Sequence, residues 1–260
     1  MKKNRLIIVG SGIKLAAHMT LEAKSAIENN SCFLYLINDP VLEVWLKKLN
    51  PNAISLQEFY QGEGSRLSIY ENIAQKIKEY LQDNSEVCVA FYGHPGVFCY
   101  VAHRAIELAR TENFDTLMLP GISAEDCLFS DIGIDPGDYG CQSFECTDFL
   151  LRSRRYDQYS HLILWQVGMI GNLHIAENKI NNRENLKILI EYLLANYPKN
   201  HRVALYEASI YSGFSPKIIW CALDNLASQN YSKISTLYIP PLAQAKIDPE
   251  MARRLGVELV

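Results

Sequence analysis

The sequence predicts an α/β protein of two lobes, the first built on a mainly parallel sheet and the second, smaller one on strands of mixed direction. Cys32-Phe33-Leu34-Tyr35-Leu36-Ile37 and Val87-Cys88-Val89-Ala90-Phe91 are unbroken apolar runs of strand length, as a strand covered on both faces requires. Such runs alternate with helical spacing through the first half, the pattern of β-α-β units. In the second half strand-like runs outnumber helical stretches.

In chain order, Arg5-Leu6-Ile7-Ile8-Val9 is a first strand running into Gly10-Ser11-Gly12, and Leu15 to Glu28 has the apolar spacing of a helix. Gly-x-Gly without a third glycine or the acidic partner of a dinucleotide fingerprint indicates only close approach of the backbone to a ligand. Asn38-Asp39-Pro40 ends the second strand, Cys32–Ile37, and Val41 to Leu49 is a short helix. Ile54 to Tyr60 leads into the loop Gln61-Gly62-Glu63-Gly64-Ser65. From Arg66 to Gln82, Ile69, Ile73, Ile77, Tyr80 and Leu81 mark an amphipathic helix.

The strand Val87–Phe91 stops abruptly at Tyr92-Gly93-His94-Pro95-Gly96-Val97-Phe98, and a helix follows from Tyr100 to about Glu112. In open α/β sheets ligands sit where such loops leave the carboxyl ends of strands. Thr116–Leu119 is the next strand. Pro120-Gly121 breaks it, and Ile122-Ser123-Ala124-Glu125-Asp126 leads toward a helix N-terminus. The boundary between lobes falls here, giving lobes at 1–120 and 121–242 and a tail at 243–260. Gln142–Cys146, His161–Val167, Arg202–Tyr206 and Ser235–Ile239 read as strands, and Asn185–Tyr197 and Lys217–Gln229 as helices.

At 260 residues, 48% hydrophobic and 21% charged, the chain has the composition of a globular protein. A net charge of -4, and no basic run beyond Arg152-Ser153-Arg154-Arg155, argue against a nucleic-acid surface. No apolar run approaches a membrane span, and Met1-Lys2-Lys3-Asn4-Arg5 leads into a short strand rather than a signal segment, so a cytoplasmic protein is expected. The seven cysteines, an odd number without Cys-x-x-Cys, suit buried free thiols in a reducing compartment. The six histidines are scattered without ligand spacing, and no metal is expected.

Val9-Gly10-Ser11-Gly12, Tyr92–Phe98, Leu119-Pro120-Gly121-Ile122-Ser123-Ala124 and Tyr238-Ile239-Pro240-Pro241 resemble, in order and spacing, the ligand loops of the tetrapyrrole methylase superfamily. Members of that superfamily bind S-adenosylmethionine between two α/β lobes. Within it the sequence is most similar to the borosin α-N-methyltransferases, which methylate backbone amides of a ribosomally made peptide. Phe91–Phe98, Leu119–Phe129, Ile134-Asp135-Pro136 and Ser160-His161-Leu162 carry this closer likeness. Porphyrinoid methylases generally have Asp where His94 stands.

The resemblance implies a catalytic set of Tyr60, Arg66 and Tyr70. For the cofactor it implies Tyr92, Val97 and Phe98 by the methionine and sulfonium, with backbone from Pro95 and Gly96, and Gly10 and His94 in the same set. Ser123, Ala124 and Gln166 are implied at the ribose and amino-acid end, and Tyr206 and Thr236 at adenine. The chemistry accounts for such a set. An amide nitrogen has its lone pair delocalised into the carbonyl, so a methyl donor alone is insufficient. Donors to the carbonyl oxygen and a group that takes or relays the N–H proton are needed. Arg66 and Tyr70, four apart at a helix start, share one face, and a guanidinium beside a phenol, whose pKa is ordinarily about 10, favours the phenolate as proton acceptor. With 15 tyrosines in the chain, spacing alone does not single these out.

The resemblance further implies a homodimer. Fungal borosin enzymes carry their substrate as a C-terminal extension, whereas this sequence ends with Ala243–Val260, so a separate precursor peptide, two per dimer, is expected, as in a split system. The alternatives are a porphyrinoid or other small-molecule methyltransferase of the same superfamily and a non-catalytic module on the same scaffold. Porphyrinoid chemistry requires neither His94 nor the Tyr60/Arg66/Tyr70 set.

Overall fold

The computed structural model describes residues 3–60, 65–172 and 183–258. The expected loop residues 61–64 and the last two residues of the tail lie outside them. The chain divides into two compact units.

In the first unit the order is β1 (Arg5–Gly10), α1 (Leu21–Glu28), β2 (Phe33–Leu36), α2 (Pro40–Leu49), β3 (Ala53–Ser55), a 3-10 turn at Gln57–Tyr60, α3 (Arg66–Asp83), β4 (Glu86–Phe91), α4 (Tyr100–Thr111), β5 (Asp115–Met118) and α5 (Ala124–Ile132). The sheet is parallel throughout, in the order β3-β2-β4-β1-β5. Its apolar runs are continuous because both faces are covered. Leu6, Ile8, Val87, Val89 and Phe91 pack with α3 and α4, while Ile7, Val9, Cys88 and Ala90 pack with Ala23, Ile27 and Leu46 of α1 and α2. Side chains start the helices. Asp39 accepts the Leu42 N–H at 2.7 Å with Pro40 in the first turn of α2, and Ser65 accepts the Ser68 N–H at the start of α3.

The helix expected from Leu15 begins only at Leu21. Ala16 is left-handed (φ 58°), the Leu15 N–H donates to the Ile210 carbonyl at 2.9 Å, and Thr20 caps α1 by accepting the Ala23 N–H. The first unit also extends to Gly133, past the expected boundary at 120, and takes in Ala208–Pro216. The Leu119 N–H donates to the Ile8 carbonyl, and Cys127 of α5 lies 3.8 Å from the His18 ring, so the segment after β5 stays with the first sheet.

The second unit contains α6 (Pro136–Tyr139), β6 (Cys141–Glu145), α7 (Cys146–Leu151), β7 (His161–Trp165), a 3-10 turn at Val167–Met169, α8 (Arg183–Leu194), β8 (Arg202–Glu207), β9 (Lys217–Ala222), a 3-10 turn at Leu223–Ser228, β10 (Thr236–Ile239) and α9 (Pro249–Leu255). Its sheet order is β6-β7-β10-β8-β9, with β6 and β7 parallel and the other pairs antiparallel. Leu162, Leu164, Val203, Leu205, Leu237 and Ile239 meet Phe149, Leu186, Leu189 and Leu193 in one core.

The helix expected over Lys217–Gln229 is instead strand β9 and a 3-10 turn. Ile218-Ile219-Trp220-Cys221 is β-branched and aromatic, and it pairs residue for residue with β8 from Arg202↔Ala222 to Glu207↔Lys217. Arg202 lies over the Trp220 ring at 5.2 Å, and Lys217 reaches Glu207 at 3.1 Å. None of the seven cysteines is in a disulfide. Among the described residues no helix is long and apolar enough to cross a membrane.

Candidate active site

Three loops meet at the carboxyl ends of β1, β4 and β5. Gly12 and Gly93 exchange backbone hydrogen bonds at 3.1 and 3.2 Å, and the Ser11 N–H donates to the Phe91 carbonyl at 2.8 Å. A Cβ at Gly10 would stand 2.2 Å from the Gly93 oxygen and 2.9 Å from Pro95 Cδ. Gly121 is also closely placed, with its own Cβ position 2.8 Å from that oxygen. Backbone therefore touches backbone where these loops cross.

The Tyr92–Phe98 loop is fixed from within. Nδ1 of His94 accepts the Gly96 N–H at 2.9 Å, the Val97 N–H donates to the His94 carbonyl at 3.1 Å, and the His103 ring pairs with the Gly96 carbonyl at 3.0 Å. His94 thus braces the turn, and Pro95 is buried beneath it. Tyr92 and Phe98 remain 41% and 56% exposed. Aromatic faces beside loop carbonyls suit a compact organic cation. The Tyr92 hydroxyl donates weakly to the Ile13 carbonyl at 3.4 Å, and partial burial, with Cys127 and Asp39 nearby, pushes its pKa up to about 12, so it stays protonated at neutral pH.

Ser123 and Ala124 form the start of α5. The Ser123 hydroxyl accepts the Asp126 N–H at 3.2 Å while the Asp126 carboxylate accepts the Ser123 N–H at 2.7 Å, a capping box, and the hydroxyl also donates to that carboxylate at 2.8 Å, which commits this side chain to the helix end.

The tyrosine pair is brought together. Tyr60, ending a 3-10 turn, and Tyr70, one turn into α3, hold their hydroxyls 3.2 Å apart with ring centroids at 5.9 Å. Arg66 stands at the first position of α3, and its charge acts on Tyr60. The expected effect of that charge is outweighed. Burial and the hydrogen bond with Tyr70 raise the Tyr60 pKa well above the ordinary phenol value, and Arg66 only partly offsets them. At neutral pH Tyr60 therefore keeps its proton and is not the phenolate that a Tyr–Arg pair suggests.

Gln166, Tyr206 and Thr236 lie in the second unit and adjoin one another there. Tyr206 and Thr236 are cross-strand partners of β8 and β10, both buried. Gln166 follows β7, exposed and left-handed (φ 58°), and its neighbour Val167 donates to the Ser235 carbonyl at 3.1 Å.

The structure adds residues that sequence reasoning missed. Tyr100 and Arg104, one turn apart on α4, converge on Glu71, the neighbour of Tyr70 on α3. Their i, i+4 spacing on an amphipathic helix was a visible sign, whereas the partner on α3 was not.

The sequence profile of the tetrapyrrole (corrin/porphyrin) methylases matches residues 5–209. A methyltransferase/ribosomally synthesized cyclic peptide dendrothelin A precursor from Dendrothele bispora is 38% identical over 98% of this chain. The corresponding omphalotin A precursor from Omphalotus olearius is 36% identical over 98% of it, and this chain spans 62% of the length of each of these two relatives. A methyltransferase/type I borosin cyclic peptide precursor from Coprinopsis marcescibilis is 37% identical, with 98% of this chain and 68% of that relative covered. Among solved structures, uroporphyrin-III C-methyltransferase from Thermus thermophilus superposes with a TM-score of 0.64 at 16% identity over 93% of this chain and 94% of its own. The same enzyme complexed with S-adenosyl homocysteine gives 0.61 at 15% identity, covering 92% and 93%.

Proposed function

The chain belongs to the tetrapyrrole methylase family, and on that premise we propose that it N-methylates backbone amides of a peptide with S-adenosylmethionine, which when bound supplies an electrophilic methyl group. The observation that carries this reading is the Tyr60–Tyr70 hydroxyl pair beside Arg66. In a pair of phenols one O–H is spent within the pair and the other is left for an acceptor. That acceptor is the substrate carbonyl oxygen, which gains charge as the amide takes on imidate character. Arg66 favours the same negative charge, and as the nitrogen is alkylated its N–H proton passes through the hydroxyl pair to solvent water, each hydroxyl giving up its own proton as it takes one. Tyr92 and Phe98, with the carbonyls of the Gly93–Val97 loop, suit the sulfonium, and the braced loop holds them in place.

Two expected outcomes follow for the isolated chain. Calorimetry with S-adenosylmethionine or its demethylated product shows binding that a chelator does not alter. Absence of binding at millimolar ligand removes the cofactor assignment. In single-turnover methylation Arg66→Lys, which keeps the charge without the planar fork, is partly impaired, and Arg66→Ala is severely impaired. Equal rates for both variants and the wild type contradict the role of Arg66.

The proposal includes a homodimer that takes its peptide from a separate chain. Leu67, Phe98 and Tyr100 are exposed apolar groups on the segments that carry Arg66 and the tyrosine stack. A partner wall over them would exclude water from the amide, and their exposure leaves the tyrosines open to a segment supplied in trans. Light scattering is expected to give a dimer, and a fully active monomer contradicts it.

A further inference from the structure

Tyr70 carries its role only if its ring is held, and a phenol one turn into a helix has two free torsions. Tyr60 touches it from one side. On the other, the Tyr100 ring stacks against it with centroids 6.1 Å apart and planes 29° from parallel. Tyr100 is itself tied, because its hydroxyl donates to Oε1 of Glu71. The second carboxylate oxygen of Glu71 accepts from Nε of Arg104 at 2.9 Å, and Arg104 is anchored in turn on Glu107 at 3.0 Å. These hydrogen bonds hold the Glu71 carboxyl below its usual pKa, so it is ionised at neutral pH and both bonds to it are charge-assisted.

Such a chain is more than one surface ion pair. A single exposed pair contributes little, but here two helices are joined through one carboxylate with both oxygens occupied, and a planar ring transmits the result. Tyr100 is 42% exposed and Glu71 and Arg104 are only partly covered, so packing alone does not fix them. Resting on the catalytic reading of Tyr60 and Tyr70, we infer that Tyr100, Glu71 and Arg104 are positioning residues for the reaction: they hold the Tyr70 ring where its hydroxyl meets that of Tyr60.

The test is a double-variant cycle in single-turnover methylation of a peptide substrate, with cofactor and peptide affinities measured alongside. Tyr100→Phe keeps the stacked ring and removes its tie. It is expected to slow methyl transfer roughly 3- to 10-fold, with affinities unchanged within about twofold. In a Tyr70→Phe background the same change should slow the reaction no further, since the brace acts through the hydroxyl already lost. Arg104→Ala should reproduce the defect, and Arg104→Lys should restore part of it by keeping a donor to Glu71. The Arg104 pair also serves should Tyr100→Phe fold poorly. A wild-type rate for Tyr100→Phe beside a slow Tyr70→Phe overturns the brace and leaves the catalytic reading standing, as does a double variant whose losses multiply. A wild-type rate for Tyr70→Phe removes the catalytic reading and this inference with it.

Discussion

Tyr60→Phe and Tyr70→Phe are each expected to lower single-turnover methylation about 100- to 1000-fold, roughly 3 to 4 kcal/mol of transition-state stabilisation, while cofactor and peptide still bind. The reason lies in when the hydroxyls matter. In the ground state the amide oxygen is an ordinary acceptor that water serves as well. As the nitrogen is alkylated that oxygen gains charge, and a donor already aimed at it costs no reorganisation. Phe keeps each ring in place, including the contact between Tyr70 and Tyr100. The pH dependence has a definite sign. Burial and Tyr70 keep Tyr60 protonated beyond the ordinary phenol pKa of about 10, so any rate limb from its ionisation lies above that pH, and Arg66→Ala moves it higher by removing the charge that favours the phenolate. The folded chain there retains a proton that the unfolded chain releases, so this group lowers stability as pH rises above about 10. A rate that climbs with ionisation of Tyr60 below that pH contradicts its role as donor.

Gly10→Ala is expected to be the most damaging small change at the loop crossing. Its Cβ would meet the Gly93 oxygen at 2.2 Å and Pro95 Cδ at 2.9 Å, and both belong to a turn already held by Gly12, His94 and His103. Backbone cannot move aside as the end of a flexible side chain can. The cost is about 2 to 3 kcal/mol or more of stability, because overpacking must displace a whole turn. Cofactor affinity should fall with it, since the displaced turn carries Tyr92 and Phe98. Thermal unfolding and calorimetry check the two effects, and a variant with wild-type melting and affinity shows that the loops yield freely.

Much of the first sheet was legible because its strands are covered on both faces, leaving Val87–Phe91 and Cys32–Ile37 without polar interruption. The failures have local causes. Leu15, Met19, Ala23 and Ile27 recur at a helical interval, yet the first two serve a turn, and Thr20 marked the real start. Ile218, Ile219, Leu223 and Leu226 also fit a helix, and only pairing with β8, remote in sequence, decides for a strand. Of the site, the loop glycines and His94 could be read from turn chemistry and resemblance, whereas Tyr60, Arg66 and Tyr70 were marked by resemblance alone. The direction of the Tyr60 shift was beyond sequence, because burial competes there with a charge and wins. The link from Tyr100 to Glu71 spans two helices and has no local signature.

The central claim is that the bond formed is between a methyl group and a backbone amide nitrogen of a peptide. Its most direct test is intact and fragment mass spectrometry of a candidate precursor peptide incubated with the purified chain and S-adenosylmethionine. The account predicts mass increments of one methylene each, with fragments that place every methyl on a backbone nitrogen, and their loss in Tyr70→Phe. An unmodified peptide together with methylation of a tetrapyrrole, or methyl groups confined to side chains, would contradict it.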